Sequence, residues 1–388
     1  MIRLDRVGKT YEDGTVAVQE LDLQVPRGSL VTLVGPSGCG KSTTLRMVNR
    51  LIEPTSGTIT LDGDDVTRVD PVALRRRIGY VIQRVGLFPH QTVRTNVATV
   101  ASLLGWDKRR TRNRVDELLT VVGLEPEQYG DRYPHQLSGG QQQRVGVARA
   151  LVADPPVLLM DEPFGAVDPV VRVRLQDEFV ALQERLGTTV LFVTHDIEEA
   201  VRLGDRVGVF EPGGRLAQYD TPARVLGAPA DDFVADFVGA DRGLRRLAVT
   251  AIDDSDLEHP PVVDVGDSLV DAQRTLEGAD ARWAVVLDAS GDLRGWVSRE
   301  RASDGGGAVV DRTRRMEAWV PRDAPLKDAL AQMLQHDAGW VAVLDGSRFC
   351  GVLTPQTLHE ALRRSVGADH QGVDPSAFRV DAAGPIRA

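Results

Sequence analysis

Cysteine, positive charge and long apolar runs are all scarce in this sequence. Two of the 388 residues are cysteines, Cys39 and Cys350, which excludes a disulfide framework and fits a reducing cytosol. The formal net charge is -10, so the overall balance gives no case for non-specific nucleic-acid binding, and nucleic acid is not an expected partner. Apolar runs such as Val157-Leu158-Leu159-Met160 and Val190-Leu191-Phe192-Val193 fall far short of the ~20 residues that a membrane-spanning helix needs. The opening residues, Met1-Ile2-Arg3-Leu4-Asp5, lack the apolar core of a secretory leader. If such a chain works at a membrane, it is expected to be peripheral, docked on a partner that spans the bilayer.

What the chain does contain is ordinary globular material, with 42% hydrophobic and 26% charged residues. Its length calls for two domains. In the first, short β-rich runs alternate with helical patterns, as expected for a largely parallel sheet with helices on both faces. Residues 29–34 read as a buried strand, 42–51 as a helix, and 157–160 and 188–194 as further buried strands. Between about 87 and 153 helical patterning replaces the strands (109–122 and 140–152), which predicts a separate helical lobe. A short helix over 233–238 leads into Gly239-Ala240-Asp241, the expected boundary, so the first domain is read as 1–239.

The second domain, 240–365, carries an internal repeat. Asp280-Ala281-Arg282-Trp283 with Val285-Val286-Leu287-Asp288 recurs as Asp337-Ala338-Gly339-Trp340 with Ala342-Val343-Leu344-Asp345. Each copy follows a helical stretch (268–276 and 325–334) and precedes a short strand (295–298 and 351–354). Two copies, about 244–302 and 313–364, imply a pseudo-symmetric pair; a solenoid needs more repeats. Periodicity then fades, and 366–388 is expected to be a loose tail.

Chemistry concentrates in the first domain. Gly35-Pro36-Ser37-Gly38-Cys39-Gly40-Lys41-Ser42-Thr43 satisfies the G-x-x-x-x-G-K-S/T pattern, and it lies between a strand and a helix as that pattern must. Gly35, Ser37, Gly38, Gly40 and Thr43 form a loop whose backbone N–H groups converge on phosphates at the helix N-terminus. Lys41 is expected at the β and γ phosphates of ATP, and the Ser42 hydroxyl at Mg²⁺. Farther on, an apolar strand ends in Asp161-Glu162. Asp161 is placed to hold Mg²⁺ through water, and Glu162 to act as the base that polarises the attacking water. Alone, such an ending is explained as well by helix N-capping; paired with the phosphate loop it predicts nucleotide hydrolysis. Leu137-Ser138-Gly139-Gly140-Gln141 offers a second anion cradle at a helix start, since a simple N-cap requires Ser138 and not the Gly-Gly-Gln after it.

This last motif resembles the signature of the ABC ATPase family, and the resemblance extends over 1–239. It implies an α/β P-loop NTPase cassette, a RecA-like mixed sheet with a helical subdomain. It places Gln83 in the Q-loop, which senses the γ-phosphate and the transmembrane partner and shares in the metal site. Gly165-Ala166-Val167-Asp168 takes the place of the D-loop, with Val167 where leucine is usual. His195 matches the switch histidine at the γ-phosphate, and Tyr11 the aromatic that stacks on adenine. Singly, His195 reads as a surface polar residue and Tyr11 as a packing residue; order and spacing carry the resemblance. It further implies that two copies pack head to tail, ATP lying between 35–43 of one and Ser138, Gly139, Gly140, Gln141 and Asp168 of the other. Closure driven by ATP requires that ATP bind the closed state more tightly than the open one.

One cassette without spanning helices or a coiled-coil insert resembles an importer subunit. Ile78-Gly79-Tyr80-Val81-Ile82-Gln83, Gly86-Leu87-Phe88-Pro89-His90 and Phe233-Val234-Ala235-Asp236-Phe237-Val238-Gly239-Ala240-Asp241-Arg242 resemble the ATPases of glycine betaine, carnitine, choline and proline-betaine importers. The first two segments are shared with importers of amino acids or polyamines, and a soluble ABC switch ATPase is a further alternative. The importer reading implies permease subunits as partners, with an extracytoplasmic solute-binding protein beyond them, and the cytoplasmic face of the cell membrane as location.

The repeat resembles a tandem CBS domain, α+β in fold. In osmoprotectant importers such a pair is regulatory, responding to ionic strength or cyclic di-AMP. Arg301 and Thr357 stand where the ribose-binding aspartate is usual, which argues against an ordinary adenosine-nucleotide site. Arg242, Arg245 and Arg246, and Arg312, Arg314 and Arg315, read either as solvated faces or as grips for phosphate or anionic lipid.

Overall fold

Strands that are apolar at every position need cover on both faces, and the first of the two units supplies it. The computed structural model describes residues 1–82, 86–165, 167–303 and 306–366. Its contacts divide the chain into Met1–Arg242 and a unit that begins at Gly243. The strands of the first unit are, in chain order, β1 (Ile2–Thr10), β2 (Val16–Val25), β3 (Leu30–Val34), β4 (Ser56–Leu61), β5 (Asp64–Asp65), β6 (Ile78–Val81), β7 (Val157–Asp161), β8 (Thr189–Val193), β9 (Arg206–Phe210) and β10 (Leu216–Asp220). Six of them form one sheet in the order β10-β9-β3-β8-β7-β6, parallel except at the β10 edge.

β3, β7 and β8 are buried throughout. Leu158, Met160, Val190 and Phe192 face one core, while Val157, Leu159, Leu191 and Val193 face another. This alternation is why the strands read as unbroken apolar runs. A second sheet, β2-β1-β4-β5, is antiparallel and differs from the largely parallel arrangement that the sequence pattern predicts. In β1 exposed Arg3 separates buried Ile2 and Leu4, and register shifts beyond Leu4 interrupt the period.

The helices are α1 (Lys41–Val48), α2 (Pro71–Arg76), α3 (Val93–Leu103), α4 (Lys108–Val121), α5 (Pro126–Tyr129), α6 (Gly139–Leu151), α7 (Pro169–Leu186), α8 (Ile197–Leu203), α9 (Pro222–Gly227) and α10 (Asp232–Val238). α1 stops at Val48, short of the expected 51, with Asn49 as its C-cap. α3 to α6 make the helical lobe between β6 and β7. Their starts are written in the sequence: Thr92, Asp107 and Ser138 each accept a hydrogen bond from the N–H three residues on, caps of about 1 kcal/mol each. Val97, Val115, Leu118 and Val145 then lock the lobe together at helical spacing.

The second unit contains β11 (Val262–Asp264), β12 (Trp283–Leu287), β13 (Leu293–Ser298), β14 (Trp319–Pro321), β15 (Val341–Asp345) and β16 (Arg348–Leu353), with α11 (Arg242–Val249), α12 (Leu269–Gly278), α13 (Arg299–Ala302), α14 (Leu326–Gln335) and α15 (Pro355–Arg364). Each copy of the repeat is a three-stranded sheet whose first pair is parallel and second antiparallel. Trp283 and its equivalent Trp340 stack across the copies, centroids 3.9 Å apart and planes within 3°.

The copies also exchange edges. Glu258, ahead of β11 in the first copy, pairs with Val352 in the last strand of the second, both hydrogen bonds at 2.9 Å; Arg314, ahead of β14 in the second, pairs with Trp296 in the last strand of the first, again at 2.9 Å. Gly295 and its equivalent Gly351 make room for these crossings, since a Cβ would come within 2.1 Å of Arg314 O or 3.1 Å of Glu258 O. The glycine that the two copies share at this point therefore marks where backbone from the other copy passes. Part of the segment before β11 packs into the second copy as well. Leu247 of α11 is buried in its core, and Arg246 Nη2 donates to Leu362 O at 2.9 Å. The tail expected at 366–388 lies outside the described residues from 367 onward.

Arg364 closes α15 onto the segment before β11, donating to both oxygens of buried Asp256 at 2.6 and 2.7 Å. Asp256→Ala removes both charge-assisted bonds and is expected to cost the second unit about 1–3 kcal/mol. In calorimetry of the full chain, the transition of the second unit should fall while that of the first stays in place; an unmoved second transition would show the pair to be inert.

Candidate functional site

Three parallel strands end at one edge of the sheet, and the segments leaving them build the site. After β3 the chain enters residues 35–43. Gly40, the residue before α1, has φ 97°, and a Cβ there would lie 2.1 Å from Ala17 O; only glycine fits. α1 therefore begins without a side-chain cap, leaving its first N–H groups for an anion. Gly35 is buried, whereas Ser37 and Gly38 form the exposed tip. Lys41, only 6% exposed, turns back into the loop. Its Nζ donates to Gly35 O at 2.7 Å and Pro36 O at 2.8 Å, with Cys39 Sγ 3.4 Å away. The thiol itself is buried in the core.

After β7 come the two carboxylates. Ser42 Oγ donates to Asp161 Oδ1 at 2.8 Å. Burial pushes the Asp161 carboxyl above the usual carboxylate range; the Ser42 hydrogen bond and the cations Arg46 and Lys41 pull it back, and the charge of Glu162 pushes it up. Glu162 leaves the strand with φ 46°, a conformation a bulky side chain rarely adopts. Its N–H is held by Val193 O at 2.9 Å. After β8, exposed His195 brings Nδ1 to 3.1 Å from Glu162 Oε1. On the near side the Tyr11 hydroxyl lies 3.5 Å from Thr43 Oγ1, its ring 38% exposed.

Farther along, Gly165 and Asp168 are exposed while Val167 is buried against the core, so valine does there the packing work expected of leucine. Gln83 and Ala166 lie outside the described residues. Ser138, Gly139, Gly140 and Gln141 open α6 on the helical lobe. Ser138 Oγ accepts from Gln141 N at 3.3 Å and Gln141 Oε1 accepts from Ser138 N at 2.9 Å. The expectation that a cap would leave Gln141 unexplained is thus corrected: Gln141 is the reciprocal half of a capping box. Ser138 and Gly139 remain exposed. Among the described residues no hydrogen bond links 138–141 to 35–43, so the chain brings together the phosphate loop, Asp161, Glu162, His195 and Tyr11, and leaves the second cradle apart.

The donor set fits a nucleotide phosphate with a hard divalent cation. An uncapped helix start and a buried ammonium suit the phosphate, and a hydroxyl beside a carboxylate suits the cation. Two groups carry no signal in the sequence. Tyr80 of β6 is held above its ordinary pKa by burial and by the Asp161 charge. Glu199, 7% exposed, accepts from Gln176 Nε2 at 2.9 Å, and burial raises its carboxyl. Its position gives no hint of this, because an acid in a first helical turn is ordinarily solvated.

Known proteins resemble this chain in both of its units. Residues 18–165 match the family described as ABC transporter, and 313–364 the CBS domain. The glycine betaine/carnitine/choline transport ATP-binding protein OpuCA of Bacillus subtilis is 40% identical over 381 residues, 96% of this chain and 98% of its own length. The osmoprotectant import ATP-binding protein OsmV of Salmonella typhimurium is 42% identical, covering 89% of this chain and 91% of its own. Among solved structures, a dimeric post-hydrolysis ATP-binding cassette bound to ADP and Pi superposes with TM-score 0.53 and 35% identity, over 57% of this chain and 99% of that one.

Gly40→Ala tests the cradle. The added Cβ is expected to cost about 1–3 kcal/mol and to weaken ATP binding at least about tenfold, since each 1.4 kcal/mol is a factor of ten. Equilibrium titration with a fluorescent ATP analogue reads the second effect; wild-type affinity would mean that the loop does not hold phosphate.

Proposed function

The chain belongs to the ATP-binding subunits of ABC transporters that carry a carboxy-terminal CBS domain, and on that premise we propose that it hydrolyses ATP to power import of quaternary-amine osmoprotectants of the glycine betaine, carnitine and choline type. The convergence of Lys41, Ser42, Asp161, Glu162 and His195 at the ends of three parallel strands carries the enzymatic reading. Gly35, Ser37, Gly38, Gly40 and Thr43 hold the phosphates through backbone N–H groups, and Tyr11 stacks on adenine. Lys41 neutralises the β and γ phosphates. Ser42 and Asp161, with Gln83, hold Mg²⁺, which when bound supplies positive charge beside the phosphate oxygens. Glu162 accepts the proton of the attacking water, and His195 orients Glu162 and the γ-phosphate.

One copy leaves its second cradle away from its own loop, which supports a site completed by a second copy: Ser138, Gly139, Gly140, Gln141 and Asp168 of one face 35–43 of the other. The exposed N–H groups at the start of α6 have the polarity this requires. The dimer docks on permease subunits at the cytoplasmic face, with a solute-binding protein on the far side. No helix among the described residues is long and apolar enough to cross a membrane, so transport needs such partners. The solute class rests on the osmoprotectant relatives matching through both units. The CBS pair is the regulatory part, answering to ionic strength, anionic lipid or a cyclic dinucleotide such as cyclic di-AMP.

Glu162→Gln is expected to keep ATP affinity, to lose about 10²- to 10⁴-fold in turnover, and to collect as an ATP-dependent dimer in size-exclusion chromatography. Wild-type turnover in that variant removes Glu162 as the base. With its permease and binding protein in liposomes, the chain is expected to drive uptake of labelled glycine betaine, carnitine or choline; uptake of spermidine or an amino acid instead would overturn the solute class.

A further inference from the structure

Beyond the groups that meet nucleotide, one helix grips two loops of the site at once. α7 comes directly after Asp168, and Arg172 and Gln176 lie four residues apart on one of its faces. Arg172 Nη2 donates to Val167 O at 3.0 Å, and Nη1 lies 3.9 Å from Asp196 Oδ2, just past His195. Gln176, 3% exposed, donates to Glu199 at 2.9 Å. Glu199 is also hydrogen-bonded with Thr194, whose hydroxyl accepts from Asp196 N at 3.0 Å. His195 thus stands between Asp196, which Arg172 approaches, and Thr194, which α7 reaches only through Glu199, and its Nδ1 meets Glu162.

We propose that Arg172 is a positioning residue that couples the loop carrying Val167 and Asp168 to the turn carrying His195, so that contact with the second copy at Asp168 sets the Glu162–His195 pair. This rests on the head-to-tail dimer and on Glu162 as the base. A guanidinium suits this role, because its planar fork reaches a carbonyl and a carboxylate together, where an ammonium is a single point charge. Asp196 is shaped for it too. Its Oδ1 caps α8 by accepting from Glu198 N at 2.8 Å and Glu199 N at 3.4 Å, leaving Oδ2 for Arg172. A mere staple for α7 would move stability and little else. A coupling residue moves turnover and the cooperativity of ATP, because it joins one copy's site to the other copy's surface.

Steady-state hydrolysis by the full chain with Mg²⁺ and varied ATP separates the two. In Arg172→Ala, kcat is expected to fall about 10- to 100-fold, the scale of a displaced reacting geometry. KM for ATP should stay within about twofold, since only the transition state has lost an interaction, and the Hill coefficient should drop toward one. Arg172→Lys should recover part of the loss. Asp196→Asn, which keeps the α8 cap, should act in the same direction, and the double variant should be no worse than Arg172→Ala, as expected for partners in one interaction. Wild-type kcat and cooperativity in Arg172→Ala overturn the coupling; if that variant does not fold, wild-type kinetics in Asp196→Asn do so. The Glu162→Gln dimer tests the underlying reading separately: if it fails while Arg172→Ala still lowers kcat, the dimer reading falls and the coupling within one chain stands.

Discussion

The hydroxyl of Ser42 and the carboxylate of Asp161 meet at 2.8 Å, and the rest of the site is arranged around that joint. Ser42 belongs to the first turn of α1, Asp161 to the tip of β7, and β8 lies between β7 and β3 in the sheet. A single hydrogen bond therefore spans three strands at the edge where parallel sheets hold ligands. It fixes the helix start against the acidic strand end, so that Lys41 on one side and Glu162 on the other share one small volume. Because β8 is between them, its continuation at His195 reaches Glu162 from the middle.

The price of this arrangement is local. A carboxylate as buried as Asp161 is costly in its charged form, and Glu162 occupies a backbone conformation that L-residues avoid. Both are held by a sheet whose core is packed on two faces, with Phe164 set between Phe179 and Phe192 at centroid distances of 6.2 and 5.9 Å. Stable packing below the edge permits unfavourable chemistry on it. Positive charge nearby relieves the first cost, since Arg46 and Lys41 both stabilise the charged Asp161 carboxylate, and the three belong to one electrostatic unit.

Much of this is legible in the sequence alone. The phosphate loop announces itself because its constraints are covalent and local: glycine where side chains cannot fit, lysine and serine at a fixed offset. The parallel strands are legible because burial on both faces leaves only apolar residues. The antiparallel sheet is not, since exposed Arg3 between Ile2 and Leu4 spreads its signal over register shifts. Gln141 is misread from sequence because signature and capping box use the same four residues. Arg172, Gln176 and Glu199 are invisible for a different reason. Their meaning lies in contacts between α7 and the turn after β8, and long-range pairing leaves no mark on spacing.

The exchanged edges of the second unit have a bearing on how the chain is made. Residues of the cassette leave the ribosome first, and every strand of its two sheets is then present to pair. Glu258 emerges soon afterwards but must wait for Val352, its partner in β16. Until then an unpaired strand edge is displayed to whatever surrounds the nascent chain. Translation must thus run through β16 before the repeat can close, whereas the motor is complete much earlier. The repeat is therefore completed after the motor, and a prematurely ended chain yields a cassette whose CBS pair never shuts its own edges.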